Sequence, residues 1–369
     1  MSEDDDEAAW VDAGLLDPAS PSADDRRELL AYLRDSGASL DDLRAAAHRG
    51  TLPRLAAQLL RASRRRLTAA DVAAAAGVDI ETVHLVSRAA GLPIPAPDER
   101  AYREEDAAAF RVFAGAQELL GEQATIEFTR SMGAALAMIA DSAMAVFGIG
   151  VVGRFDDRGT SELGQARAIT YAARALMEAL PVAIDTLFFH HVDAAIGRGM
   201  ESHTSDAHTI EGAVGFVDLV RSTTLVQELS PSELAIALNA FEQLAVETVG
   251  ARRGRVVKTI GDEVMFVVRD ATAACDTALA LRDAVSADSR LPSVRGGIAS
   301  GELVLGYGDF YGVEVTRAAR AVKAASPGGV LVTGAIKDAV GDGFMFESVG
   351  TPELRGFDEP VELFTVERV

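Results

Sequence analysis

Up to about Met200 the apolar residues recur at three- and four-residue spacing. Examples are Glu28-Leu-Leu-Ala-Tyr-Leu-Arg34 and Asp106-Ala-Ala-Ala-Phe-Arg-Val-Phe113, and the spacing predicts helices with one buried face. Leu92-Pro-Ile-Pro-Ala-Pro97 is a stiff connector that splits this region into two helical blocks. A further helix is predicted from Ala172 to Ala195, with Pro181 kinking or breaking its first half. A polar, glycine-containing linker follows. From Ala213 the pattern changes to alternating strands and helices. Ala213–Val220 reads as a buried strand and Pro231–Arg252 as a long helix opened by a Ser-Pro cap signal. Arg255–Ile260 and Glu263–Val268 are strands joined by a two-residue Gly261-Asp262 hairpin. Asp270–Val285 is helical, Val294–Ser300 and Glu302–Leu305 are strands around a Gly301 turn, and Val313–Ala325 is a helix. Strands near Val330, Phe344–Val349 and Val361–Val366 complete the chain. The expected fold is an all-α domain over residues 1–205, then an α+β domain over 206–369 with a ferredoxin-like βαββαβ core.

One segment tests whether this is a water-soluble protein. Ser131 to Val152 is apolar and long enough to span a bilayer, with Asp141 as its single charge. A central aspartate costs about 2.5–3.5 kcal/mol on insertion scales, and the flanking helices are amphipathic. A buried helix is expected here, with no membrane span. The chain of 369 residues carries 35 Lys and Arg against 56 Asp and Glu, a formal charge of −21. Such a surface repels phosphate backbones and anionic lipid, so nucleic acid is not an expected partner. The one cysteine, Cys275, excludes an internal disulfide and any Cys-based zinc site. With an acidic amino terminus in place of a basic leader, it points to the cytoplasm.

Two carboxylates stand out by position. Asp218 ends the first strand, in Phe216-Val-Asp-Leu-Val-Arg-Ser-Thr223, and Asp262 sits at the hairpin tip, in Lys258-Thr-Ile-Gly-Asp262. These strands are neighbours in a ferredoxin-like sheet, so both side chains converge. All six histidines fall at or before His208, leaving hard oxygen ligands suited to Mg²⁺ or Mn²⁺ completed by phosphate oxygens. Leu219 to Thr223, including Ser222, precede helical sequence and are candidates to offer backbone N–H groups to phosphate. The plainer reading of Asp262 is a turn residue.

These two blocks, with Asp309-Phe-Tyr-Gly-Val-Glu-Val-Thr-Arg-Ala-Ala-Arg320, resemble the catalytic domain of class III nucleotidyl cyclases over roughly Thr209 to Val369. The resemblance implies that Asp218 and Asp262 hold two metal ions, Lys258 and Asp309 read the base, and Arg320 stabilises the transition state. It also implies a head-to-tail homodimer that shares its active sites. A lysine donor with an aspartate acceptor complements adenine N1 and its 6-amino group, which selects ATP and cyclic AMP. Arg355 is a candidate for the leaving pyrophosphate. Thr316 stands where the family usually has asparagine, which implies a slower enzyme or a weakly active nucleotide-binding relative. Ile260-Gly-Asp-Glu-Val-Met also resembles the diguanylate cyclase signature. Ile260 in place of that signature's first glycine, and the Asp309–Arg320 block, argue against that family.

Leu67 to Gly91 reads as helix, glycine turn, helix and resembles the helix-turn-helix of winged transcription factors. A DNA reader would need basic side chains on the second helix, which has Glu81 near its start and only Arg88 near its end. The three-arginine run at 64–66 precedes the motif. The order helical half, linking helix, cyclase domain is similar to soluble actinobacterial cyclases with an autoinhibitory, pH-responsive amino-terminal domain. That resemblance makes the helix at about 172–196 a switch, with His190 and His191 as candidate proton sensors. Met132 to Phe147 is a candidate lining for an apolar pocket that takes a lipid effector.

Overall fold

The structure, a computed structural model, describes residues 3–62, 67–152, 160–197, 209–220, 227–306, 308–352 and 360–369. They form two compact units, residues 1–189 and 190–369. The first contains helices α1 (Glu3–Asp12), α2 (Ala23–Asp35), α3 (Leu40–His48), α4 (Leu52–Ala62), α5 (Ala69–Ala76) and α6 (Ile80–Ala89). These are followed by α7 (Asp106–Leu120), α8 (Glu122–Phe147) with a π turn at Gly148–Val152, and α9 (Glu162–Gly197), whose residues from His190 onward fall in the second unit. Capping boxes Ser39–Asp42 and Thr68–Asp71 start α3 and α5 by satisfying first-turn N–H groups. Leu29, Leu30, Leu33 and Leu43 of α2 and α3 bury around Trp10, and the start of α9 adds Leu163 and Ala166. A second cluster packs Val72, Val83 and Phe110 of α5, α6 and α7. The predicted helix-turn-helix is therefore present. Gly77 closes α5 at φ 72°, and the Asp79 side chain accepts from Thr82 N–H at 2.7 Å to open α6.

Two expectations for this unit fail. The apolar segment after Ser131 is helical but not buried. Gly133 is the last of the four buried residues of α8, while Met138, Met144, Val146 and Ile149 are 66–80% exposed. The stretch Glu122–Val151 has the length and composition to cross a membrane and none of its most apolar window is buried in the chain. The apolar run does form a helix, but among the described residues none covers its most apolar stretch. Nor does Pro181 break α9, which runs unbroken for 36 residues. Proline removes one i→i−4 hydrogen bond, here to the Met177 carbonyl, and the many remaining bonds of a long helix keep it helical on both sides. Only the first part of α9 is buried, ending at Ala173.

In the second unit come β1 (Thr209–Leu219), α10 (Pro231–Ala251), β2 (Arg255–Ile260), β3 (Glu263–Val268), α11 (Ala271–Ala287) and β4 (Val294–Gly306). After them lie β5 (Asp309–Tyr311), α12 (Val313–Ala324), β6 (Val330–Thr333), α13 (Gly334–Ala339), β7 (Phe344–Gly350) and β8 (Leu363–Arg368). The sheet order is β2-β3-β1-β4-β6-β8-β7, with β5 on β4. Its first four strands are antiparallel neighbours in the ferredoxin-like order, as predicted. Alternation along β1 sorts the sheet into two faces. Val217 and Leu219 join Phe241, Phe266 and Leu279 under α10 and α11. Val214 and Phe216 join Met265, Ala299, Phe310 and Ala318 under α12. Asp218 shares the parity of Phe216 and so the α12 face.

The expected turn at Gly301 is not a turn. β4 runs through it and pairs with all of β1 from Thr209↔Val304 to Leu219↔Val294. Gly301 has φ 147°, a backbone state costly to side-chain residues, and Glu314 Cγ lies 3.1 Å from where its Cβ would be. The reversal comes later, where Gly306 pairs with Asp309. Gly297 brings α12 close, since a Cβ there would lie 2.2 Å from the Val322 nitrogen.

Candidate active site

The end of β1 and the β2–β3 hairpin are tied by a backbone hydrogen bond from Leu219 N–H to the Asp262 carbonyl, at 3.0 Å. That bond sets Asp262 beside Asp218, which is only 3% exposed. Burying a carboxylate is costly unless it is paired, and Asp218 is paired twice on one oxygen. Its Oδ2 accepts from Arg295 Nη2 and Nε, at 2.6 and 2.9 Å, and from Lys323 Nζ at 3.2 Å. Arg295 stands directly opposite Asp218 across β1 and β4, and Glu263 stands opposite it across β1 and β3. Lys323, on α12, also donates to Glu263 Oε2 at 2.6 Å. Burial opposes the charged form of Lys323, but hydrogen bonding and charge from Glu263 and then Asp218 outweigh it and hold the ammonium above the ordinary lysine range.

The donors at Asp218 and Asp262 are carboxylate oxygens, which suit Mg²⁺ or Mn²⁺. Among the described residues no three His, Cys, Asp or Glu side chains cluster as a metal cage. Two carboxylates leave coordination positions for phosphate oxygens and water, so the residues present fit a metal held jointly with a nucleotide.

On the same face Lys258 of β2 forms an ion pair with Asp309 at the start of β5. Lys258 is opposite Met265, and Met265 is opposite Phe216, which puts Lys258 on the Asp218 side of the sheet. Arg255 fastens β5 to β2 by donating to the Gly308 carbonyl and stacking 5.7 Å from the Phe310 ring centre. The Asp309 Oδ1 accepts from Phe310 N–H at 2.8 Å, which fixes its carboxylate. Helix α12 begins at Gly312 and carries Thr316 and Arg320, both exposed and one helical turn apart on one side. Thr316 Oγ1 donates to the Gly312 carbonyl at 3.2 Å. Glu314 pairs with Arg317 on the first turn of α12, and burial raises its carboxyl above the usual range.

The adenylate cyclase regulatory domain family matches residues 8–196, and the adenylate and guanylate cyclase catalytic domain family matches residues 206–368. An uncharacterised protein of Mycobacterium tuberculosis is 31% identical over 95% of this chain and 92% of its own. An adenylate cyclase of Streptomyces coelicolor is 33% identical over 74% of this chain and 71% of its own. A pH-sensitive adenylate cyclase of Mycobacterium tuberculosis is 30% identical over 98% of this chain and 92% of its own. The chain belongs to the class III adenylate cyclases.

In this cyclase the structure brings together two of the expected groups, Asp218 with Asp262 and Lys258 with Asp309. It removes one. Leu219 was expected to offer its backbone N–H to phosphate, but that N–H goes to Asp262 and its side chain is 1% exposed. The neighbouring Val220 N–H likewise goes to the Ser293 carbonyl at 2.8 Å, so both N–H groups at the end of β1 are spent within the sheet unit. Ser222, Thr223 and Arg355, and the arginine run at 64–66, lie outside the described residues. His190 and His191 are exposed on α9. The pocket expectation for 132–147 holds for Met132 alone. A cavity of about 860 Å³ lies within the first unit, lined among others by Val86, Ile94, Phe110, Phe113, Phe128 and Met132. Sequence reasoning missed Arg295, Glu263 and Lys323. Strand register sets Glu263 and Arg295 opposite Asp218, and the packing of α12 on the sheet brings Lys323. Arg295 and Lys323 lie 77 and 105 residues from Asp218 along the chain.

Proposed function

We propose that this adenylate cyclase makes cyclic AMP at sites shared between two copies of the chain. Asp218 and Asp262 of one copy hold two Mg²⁺ or Mn²⁺ ions, and Lys258, Asp309, Thr316 and Arg320 come from the other. The observation that carries this reading is the Lys258–Asp309 pair, held on the sheet face that also bears Asp218. Lys258 donates to adenine N1 and Asp309 accepts from the 6-amino group, so adenine inserts between two groups that otherwise satisfy each other. The ribose 3′-oxygen attacks the α-phosphorus in line and pyrophosphate leaves. Metal ions held by Asp218 and Asp262 would lower the hydroxyl's pKa and neutralise phosphate charge. Arg320 donates to the phosphoryl oxygens as their charge grows. Ser222, Thr223 and Arg355 are assigned to the phosphates on sequence position alone.

Wild-type protein supplied with Mn²⁺-ATP is expected to form cyclic AMP, and Asp262→Ala to lose at least about 100-fold in rate. Unchanged turnover in that variant, measured by product chromatography, overturns the assignment. A slower enzyme is favoured by Thr316, whose hydroxyl is spent on its own helix. Thr316→Asn supplies an amide long enough to reach past the helix and is expected to raise kcat.

The catalytic part is assigned to residues 206–369 and the regulatory part to 1–205, with the boundary in the interval between the two family matches. Regulation through α9 is supported by its exposed His190 and His191 and by the likeness to a relative described as pH-sensitive. The double variant His190→Gln, His191→Gln is expected to flatten the acid limb of the activity profile; an unaltered profile excludes these histidines. The apolar cavity of the first unit supports a lipid effector as the second input. The site of action is assigned to the cytoplasm.

A further inference from the structure

We propose that Lys323 is a built-in counter-cation of the metal centre: it holds the place of a divalent ion at Asp218 and thereby sets how tightly that ion binds. This rests on the reading of Asp218 and Asp262 as the metal-holding pair.

The two cations on Asp218 are held very differently. Arg295 sits in register on the neighbouring strand and places two nitrogens on Oδ2, at 2.6 and 2.9 Å. Its third nitrogen, Nη1, donates to the Lys323 carbonyl at 3.3 Å, so the planar guanidinium is held at both ends. Lys323 reaches the same oxygen from α12 on a flexible stem, at 3.2 Å, and its side chain is half exposed. Its shorter contact, 2.6 Å, is to Glu263. The Lys323–Asp218 contact is therefore the one that yields when another cation arrives.

Glu263 supplies the place to go. It lies opposite Asp218 on β3, so the ammonium can let go of Asp218 and remain paired without crossing open solvent. Lys323 is shared by Asp218 and Glu263, Arg295 is held by Asp218, and Asp262 adjoins them through the backbone bond from Leu219. Without Lys323 the buried Asp218 keeps, among the described residues, Arg295 as its cation; with Lys323 in place, an incoming metal ion meets a like charge beside its ligand. Lys323 thus steadies the metal-free site and weakens the first metal ion's hold, and the triphosphate then helps to recover that binding.

The test is direct Mn²⁺ binding to the full chain by electron paramagnetic resonance. It is run with Mn²⁺ alone and again with 3′-deoxy-ATP, which lacks the attacking hydroxyl and is not turned over. Lys323→Met is expected to bind Mn²⁺ alone about tenfold more tightly, a coupling typical of charges in contact. Lys323→Arg, which keeps the charge, is expected to stay near wild type. Melting without metal should fall for Lys323→Met and recover further on adding Mn²⁺ than in wild type. Should Lys323→Met fail to fold, Lys323→Gln carries the same expectation. Unchanged or weaker Mn²⁺ affinity in a folded neutral variant overturns the proposal. So does an effect confined to 3′-deoxy-ATP, which would make Lys323 a phosphate contact. If Asp262→Ala binds Mn²⁺ as wild type does, the metal-site reading itself fails; if only the Lys323 variants are silent, that reading stands and this proposal does not.

Discussion

Along β1, eight consecutive residues from Gly212 to Leu219 are buried. Helix α8 is 26 residues long and buries four, all in its first half. Both segments are apolar, and the difference lies in what surrounds them. The sheet unit sandwiches β1 between α10 and α11 on one face and α12 on the other, so its apolar side chains are satisfied within one chain. The later parts of α8 and α9 extend beyond the helices that cover their beginnings. Val182, Leu187, Phe188, Phe189 and Ile196 of α9 remain 51–68% exposed, with the Phe188 and Phe189 rings edge to face at 5.4 Å. Apolar surface of this extent marks a place where something docks. Under the proposed function, a second copy of the chain is the partner to test for this surface.

The most forceful test of this contrast is a core truncation in the sheet unit. Phe266→Ala removes a ring with no exposed surface and is expected to cost about 3–5 kcal/mol in denaturant unfolding. Its loss is intrinsic to the chain and should not depend on protein concentration. Phe188→Glu is the counterpart. It should leave the melting of a dilute single chain nearly unchanged but weaken self-association by about tenfold or more in sedimentation, with activity falling in parallel. Equal unfolding losses in both variants, with association untouched, would mean that the two regions do not differ in how their apolar side chains are satisfied.

Two smaller effects sharpen it. Burial, with help from the Asp276 charge, pushes the Cys275 thiol up to about 12. At pH 8 a disulfide reagent should therefore label it only through opening of the sheet unit, and Phe266→Ala should speed labelling while Phe188→Glu does not. Rapid labelling of the folded wild type would show that this core is looser than its burial implies. The smallest effect concerns Glu314, whose raised carboxyl pKa means that the folded chain binds its proton more readily than the unfolded chain. Its contribution is most favourable below the ordinary value of 4.5 and is lost as pH rises through the raised value. Glu314→Gln should shallow the fall in melting temperature over that interval; an unchanged slope assigns the fall to other groups.

Much of the fold was legible because its determinants are local. The Gly261-Asp262 hairpin, the Ser230 cap of α10 and the change of hydrophobic period near Ala213 each lie within a few residues. Asp218 and Asp262 were legible because their strands are neighbours, whereas Lys258 and Asp309 were named together only through the resemblance of their motif blocks to the family. Where the reading failed, a distant partner decided the outcome. Gly301 looks like a turn until β1 pairs along the whole of β4. Leu219 looks like a phosphate donor until the Asp262 carbonyl takes its N–H.

By itself the sequence determined most of the helices and strands, the division into a helical half and an α+β half, and the residue types available for catalysis. These follow from periodicity, capping and spacing, which act over a turn or a hairpin. Only the tertiary structure decided that Arg295, Glu263 and Lys323 gather around Asp218, and that α8 and the later part of α9 keep their apolar sides bare. Both are matters of which distant groups meet. An apolar or charged side chain specifies that it needs a partner, and the packed chain specifies whether it has one.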